Sequence, residues 1–249
     1  MIWINEVSSP LIKPYGLFAL AAAAAGMILL LRLLKNYRES YRILPKIISV
    51  VSISVMLTGV LFGYIIEVLK NVFNGIPNIF IVKGFGFVAY GGIIGALAAA
   101  YFAVCRYRLD KYLMMDSLSC IIPIVHGIAR AGCLFSGCCY GKEYHGFLSV
   151  YYASRDMYCF PFQIAEGAMD IILGVFLIYL YRKNNNSGRI MYLYLLIYSV
   201  YRFILEFFRG DEVRGVFMGV SSSQYISIGV FIFAVANLIM YYRRIKTYE

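Results

Sequence analysis

The sequence predicts an all-α polytopic integral membrane protein of about seven transmembrane helices, with its N-terminus outside and its C-terminus in the cytoplasm. Three observations predict it. Of the 249 residues 61% are hydrophobic and only 14% are charged. Apolar runs of about twenty residues, the length a bilayer requires, recur along the chain. The basic residues gather in alternate connectors between those runs, as expected of cytoplasmic loops. The formal net charge of +10 therefore reports topology, and nucleic acid is not an expected partner.

The spans are predicted at Pro14 to Leu34, Ile47 to Val72, Phe85 to Val104, Leu113 to Ile128, Phe162 to Tyr181, Ile190 to Phe208 and Gln224 to Tyr242. Lys35, Arg38, Arg42 and Lys46 follow the first; Arg106, Arg108 and Lys111 follow the third. Arg182, Lys183 and Arg189 follow the fifth, and Arg243, Arg244 and Lys246 close the chain. Glu6 and Pro10 precede the first apolar run and no small-residue cleavage pattern follows a basic start, so the first helix is expected to be retained. In the fourth span Asp116 and Pro123 interrupt the pattern. The whole chain, 1–249, reads as a single transmembrane domain, with an outer-face polar segment at 129–161.

Chemistry concentrates between His126 and Gly146, HGIARAGCLFSGCCYGKEYHG. A polar, glycine-interrupted backbone at membrane depth survives only where protein or a water-filled cavity surrounds it, so this segment is a candidate site. The sixth span supplies a second set, Arg202, Glu206 and Arg209 in YRFILEFFRG. Spacings of four and seven put these three on one helical face. That face ends on the same membrane side as Arg130. A planar guanidinium grips phosphate at two points and stays charged in a low dielectric, which makes Arg130 and Arg209 phosphate ligands and a phospholipid headgroup the expected anion.

Gln163 and Glu166 share a face near the outer end of the fifth span, whereas Glu67 and Asp170 read as structural partners of basic neighbours. Gly84, Gly86, Gly91, Gly92 and Gly95 strip one side of the third span, for close helix packing or a smooth wall beside an acyl chain, to which Tyr90 adds a hydroxyl. Cys105 and Cys120 lie in apolar helices and read as packing residues. Cys133, Cys138, Cys139 and Cys159 admit a disulfide in an oxidising exterior. A zinc site is disfavoured by the C-x4-C-C spacing, which lacks a C-x2-C knuckle and sets two adjacent residues against one ligand sphere. No metal and no cofactor is expected.

Read together, YGLFALAAAAAG, GFVAYGGIIGA, ARAGCLFSGCCYG, CFPFQIAEGAMD and YSVYRFILEFFRG occur in an order that resembles the prolipoprotein diacylglyceryl transferase family along its whole length. The resemblance implies a seven-helix protein of the bacterial inner (cytoplasmic) membrane, with its active site toward the outer leaflet. The implied reaction moves a diacylglyceryl group from phosphatidylglycerol to the thiol of a preprolipoprotein's lipobox cysteine and releases glycerol phosphate. By position Arg130 matches the arginine that contacts the lipid headgroup, and Arg202, Glu206 and Arg209 match the polar face of the penultimate helix. Gln163 and Glu166 match a Gln and a Glu of the family.

The signature also departs from the family's Arg-Ile-Gly-Asn-Phe-Ile-Asn-Gly-Glu. Ala131, Cys133, Ser136 and Cys138 replace its Ile, two Asn and Glu, and Tyr90 replaces the His of a His-Gly-Gly. The implied site therefore keeps its arginines and changes its acid/base apparatus. Expected catalytic residues are His126 as a base, Cys138 as a nucleophile activated by Arg130, Glu206 and Tyr90. Expected substrate ligands are Arg130, Cys133, Arg202, Arg209, Gln163 and Glu166. Two other readings stay open: a lipid- or thiol-modifying enzyme that uses its own cysteine on another acceptor, such as a thiol peptide, and a non-enzymatic transporter of small molecules. The chain shows no internal repeat of the kind that marks many transporters.

Overall fold

The structure, a computed structural model, describes residues 2–4, 14–35, 110–153, 155–183, 188–210, 216–217 and 220–248, with scattered positions between 46 and 108. The chain divides into two compact units, Met1–Leu33 with Tyr112–Glu249, and Leu34–Lys111. In the second unit every described position from 46 to 72 is helical, as are 99, 101–102 and 104–107. The second and third predicted spans fall mainly outside the described residues, as do Tyr90, Glu67 and the glycine-rich start of the third span.

The remaining elements are β1 (Ile2–Ile4), α1 (Pro14–Leu34), α2 (Lys111–Phe135), β2 (Val150–Tyr152), β3 (Met157–Cys159), α3 (Phe162–Lys183) and α4 (Arg189–Leu205). A 3-10 turn at Glu206–Phe208, β4 (Val216–Phe217), β5 (Val220–Ser221) and α5 (Ser222–Tyr248) complete the order. Among the described residues five helices are long and apolar enough to cross a membrane: Gly16–Leu34, Lys111–Phe135, Phe162–Lys183, Arg189–Phe208 and Ser223–Arg243. Their surfaces invert the pattern of a water-soluble protein. On α3, Ile172, Val175 and Tyr179 are exposed while Gln163, Glu166 and Asp170 are buried. Ionisable groups turned inward and apolar ones outward are what a lipid solvent demands.

The fourth span does not stop at Ile128; α2 runs on to Phe135, so His126, Arg130 and Cys133 are helical. Two local features remove the expected interruptions. Asp116 is fully buried and accepts the backbone N–H groups of Gly188 (2.9 Å) and Met191 (3.1 Å). It thereby satisfies two of the orphan donors at the start of α4, where a carboxylate is also favoured by the helix dipole. Pro123 has no N–H to offer the turn behind it. The helix tolerates this, and around it the Ser117 and Ser119 hydroxyls donate to the carbonyls of Leu113 (2.7 Å) and Met115 (2.8 Å), one turn back.

Helices α2 and α3 meet backbone to backbone. A Cβ on Gly127 would lie 2.7 Å from the Gly167 carbonyl oxygen, and one on Gly167 would lie 3.1 Å from that of Gly127. A Cβ on Gly174 would collide with Ile124. Small residues at matched levels allow this approach, the usual device of helix packing in lipid.

A small polar cap sits where α2 ends and α3 begins. β1 pairs parallel with β2, which pairs antiparallel with β3 in the register Val150↔Cys159, Tyr151↔Tyr158, Tyr152↔Met157. Val150, Tyr152 and Cys159 are buried there, packed by Leu134, Tyr140, Met157 and Ile164.

Candidate active site

The close approach of α2 and α3 determines which side chains can reach each other. His126 and Arg130 are four residues apart on α2, and Glu166 and Asp170 are four apart on α3, so each pair occupies one face. The two faces interlock: His126 Nδ1 lies 2.7 Å from Asp170 Oδ2, and Arg130 Nε lies 2.6 Å from Glu166 Oε2. Both carboxylates are fully buried.

From α4, Arg202 joins the same carboxylate. Its Nε is 3.6 Å from Glu166 Oε1, its Nη2 is 2.7 Å from Glu206 Oε2, and Nη2 donates to the Ser223 hydroxyl of α5 at 3.4 Å. Tyr201, beside it in sequence, donates its hydroxyl proton to Asp170. The result is one connected chain of charge, Arg130–Glu166–Arg202–Glu206, drawn from α2, α3, α4 and the 3-10 turn. Buried charges persist in an apolar interior only when paired in this way.

Arg209 reaches the cluster differently from the expectation. Helix α4 ends at Leu205 and the backbone tightens into the 3-10 turn, after which Arg209 is extended, with φ −78° and ψ 137°. A stretch of the signature captures it there. Lys142 N–H donates to the Phe208 carbonyl (2.9 Å) and Gly210 N–H donates to that of Tyr140 (3.0 Å). The three residues therefore do not share one helical face, because these backbone bonds to residues 140–142 replace the helix's last turn. Arg209 still converges with Arg202: both guanidinium groups lie over the Phe162 ring, at 5.3 and 5.9 Å from its centre. All three arginines are buried.

Gln163, at the start of α3, spends its amide hydrogens on the Cys138 carbonyl and the Tyr152 hydroxyl, each at 2.7 Å. It thus ties the cysteine-bearing turn to the cap. That turn ends α2 with a Schellman motif: Cys138 N–H donates to the Cys133 carbonyl, and Gly137 N–H to that of Leu134, both at 3.2 Å. Gly137 takes φ +65°, which a side chain would resist, and Cys139 takes φ +59°. These two left-handed residues fold the chain back, and the sulfurs of Cys133, Cys138 and Cys139 all lie within 4.8 Å of one another. This fold-back brings the sulfurs of the adjacent Cys138 and Cys139 together, an arrangement that the C-x4-C-C spacing did not suggest. All six cysteines are free thiols, so the disulfide reading is not realised.

The thiols outside the helix differ in proton affinity. Hydrogen bonds from Cys133 and Cys138, aided by the Arg209 and Arg130 guanidiniums, hold Cys139 far below the ordinary thiol range. The same hydrogen-bonding, with burial, pushes Cys138 far above it. Without a metal, Cys139 is thus the more acidic of the two thiols.

Of the residues singled out in the sequence, His126, Arg130, Cys133, Cys138, Gln163, Glu166, Arg202, Glu206 and Arg209 come together around the ends of α2, α3 and α4. Tyr90 lies outside the described residues. Asp170 pairs across helices with a basic neighbour, as expected of it, and that neighbour is His126. Its spacing of four from Glu166, matching that of His126 from Arg130, was the available signal. Tyr201 and Cys139 carried no comparable one.

Apolar-faced helices enclosing a cluster of arginines, carboxylates and an imidazole define a multi-pass membrane protein with an enzyme-like buried site. A family model described as prolipoprotein diacylglyceryl transferase matches residues 4–240, and the chain belongs to that family. It is 34% identical over 240 residues to the phosphatidylglycerol–prolipoprotein diacylglyceryl transferase of Clostridium tetani, covering 90% of this chain and 94% of the relative. It is 33% identical over 244 residues to the protein of that name, numbered 2, from Clostridium perfringens, covering 93% and 91%. A transferase of the same name from Rickettsia bellii is 27% identical over 198 residues, covering 74% and 73%.

Proposed function

We infer that this chain transfers the diacylglyceryl group of phosphatidylglycerol to the lipobox cysteine thiol of a preprolipoprotein. The observation that carries this reading is the meeting of Arg130, Arg202 and Arg209 from separate elements beside Glu166 and Phe162. Three guanidiniums against the two carboxylates Glu166 and Glu206 leave a positive surplus suited to a phosphodiester. The names of the relatives supply the lipid donor and the protein acceptor.

In this reading the phosphate is held by Arg130 and Arg209, while Arg202 and Glu206 fix the guanidinium geometry. The acceptor sulfur attacks the glyceryl carbon next to the phosphate ester. The carbon–oxygen bond breaks, glycerol phosphate leaves with the electron pair, and the arginines stabilise the charge that gathers on it. The thiol proton passes to His126. With Nδ1 facing the Asp170 carboxylate, the ring carries its proton there and presents the Nε2 lone pair; its side chain is 32% exposed, so that atom is reachable. Tyr90, at the place of the family's histidine, would contribute a hydroxyl to the acceptor's approach.

The wider arrangement follows the same proposal: a single domain over 1–249 with seven spans, the N-terminus outside, and the 129–161 segment at the outer face of the bacterial inner membrane. Complementation of a strain lacking its diacylglyceryl transferase tests it. A lipid mass added to a lipobox peptide supports the reading. A stable, membrane-inserted protein that adds none overturns it.

A further inference from the structure

We propose that Cys133, Cys138 and Cys139 form a three-thiolate site for a soft divalent cation, zinc, with one coordination position left open for a thiol-bearing ligand. The first observation is geometric. Three sulfurs already lie within 4.8 Å of one another, and a tetrahedral zinc with bonds of about 2.3 Å spaces its sulfur ligands about 3.8 Å apart. Closing that difference takes side-chain rotation rather than refolding.

The second observation is that the backbone around the sulfurs is built to hold them there. A Schellman motif brings the residue at its sixth position against the one at its first. Here those residues are Cys138 and Cys133, joined by the 3.2 Å backbone bond. The left-handed Cys139 then turns its side chain back to the same place instead of pointing to the opposite side, as adjacent residues in extended chain do. Gln163 fastens the turn through the Cys138 carbonyl. A spacing of C-x4-C-C thus does the work usually done by a C-x2-C knuckle.

Three protein ligands are the pattern of a zinc that keeps a position open, whereas closed structural sites use four. Soft sulfur ligands select a soft cation, and a thiol entering the open position would be acidified by the metal's charge and give its proton to His126, the base proposed above. In naming that ligand as the acceptor thiol the inference rests on the transfer reaction proposed above. Arg130 and Arg209 lie close enough to Cys139 to act on its charge, so a thiol bound there would stand beside the phosphate ligands.

The full chain, purified in detergent under reducing conditions, provides the test. Elemental analysis is expected to find one zinc per chain, and cobalt substitution is expected to give sulfur-to-metal charge-transfer absorption. Cys139→Ser should weaken zinc binding by at least about tenfold, while Cys105→Ser, at an exposed position that is not one of the three clustered cysteines, should leave it unchanged. Metal-free protein that shows no charge-transfer band on cobalt addition, or two of the three cysteines recovered from membranes as a disulfide, would overturn the site; neither measurement needs a variant to fold. A lipobox peptide should shift the cobalt spectrum and its Cys→Ser version should not; an unmoved spectrum overturns the open position. Arg130→Ala separates the two claims by retaining zinc and losing transfer; zinc bound by a parent protein that shows no transfer would spare this inference while the transferase reading fails.

Discussion

His126 on α2 and Asp170 on α3 are joined at 2.7 Å through Nδ1 and Oδ2. One helical turn along, Arg130 and Glu166 are joined at 2.6 Å. Two antiparallel helices with polar residues at the same spacing of four can form both contacts only if their axes are close, and Gly127 and Gly167 provide that closeness. The His126–Asp170 and Arg130–Glu166 pairs are therefore consequences of one helix interface.

The first prediction concerns the base. His126→Ala should lower kcat by about 10²-fold or more, the usual worth of a positioned general base. Asp170→Asn keeps the shape of the site but removes the charge that fixes the imidazole's proton on Nδ1. It should lower kcat with KM for the lipid nearly unchanged, and shift the pH profile of transfer. Transfer kinetics across pH measure both. An unchanged profile in Asp170→Asn would assign the acid a packing role.

Helix approach gives the second. Gly127→Ala places a methyl group 2.7 Å from the Gly167 carbonyl oxygen and 2.8 Å from Ile171 Cγ1. Backbone cannot rotate out of the way as a side chain can, so the helices must part. Overpacking of this kind costs about 1–3 kcal/mol, and the parting lengthens both polar contacts. A lower thermal midpoint in detergent together with reduced transfer is expected. Gly16→Ala, with nothing within 4 Å of its new methyl, should change neither.

Much of this was legible in the sequence because hydrophobic length is a strong signal in lipid. Pro14–Leu34 was bounded correctly, and the starts of α3 and α4 lie within a residue of expectation. The end of α2 was not, since Asp116 and Pro123 look like breakers unless the partner of Asp116 on α4 is known. The convergence of Arg130 with Arg202 and Arg209 was anticipated, but the route of Arg209 was not. Helical spacing alone could not reveal that residues 140–142 would capture the strand after Phe208. The cysteine cluster was missed for a similar reason: it depends on two positive-φ residues, and periodicity arguments do not see backbone reversals.

Glu166 supports the third prediction. It is fully buried between Arg130 and Arg202. Glu166→Gln leaves two guanidiniums facing each other without a countercharge, and removing one partner of a buried ion pair typically costs about 3–5 kcal/mol. Thermal unfolding in detergent should show a large loss, greater than for Arg130→Ala, which removes a positive charge from a surplus. Equal losses for the two variants would mean that the arginines are stabilised by groups other than this carboxylate.

The fourth prediction comes from the unequal thiols. In chelator-treated protein Cys139 is held below its ordinary value of 9.0 by hydrogen bonds from Cys133 and Cys138 and by Arg209 and Arg130, whereas Cys138 is held above 9.0. Iodoacetamide should therefore modify Cys139 faster than Cys138 at every pH below 9. The sign of the stability effect follows from proton linkage. A depressed acid contributes stability that is complete above its unfolded value and is lost as pH falls toward the folded one, so Cys139 makes the folded state gain stability as pH rises from 6 to 9. A raised acid does the opposite above its unfolded value, so Cys138 makes stability fall again beyond pH 9. Denaturant unfolding should show this maximum near pH 9 in the parent relative to a Cys138→Ser, Cys139→Ser double variant, and equal alkylation of the two cysteines at pH 6 would remove its basis.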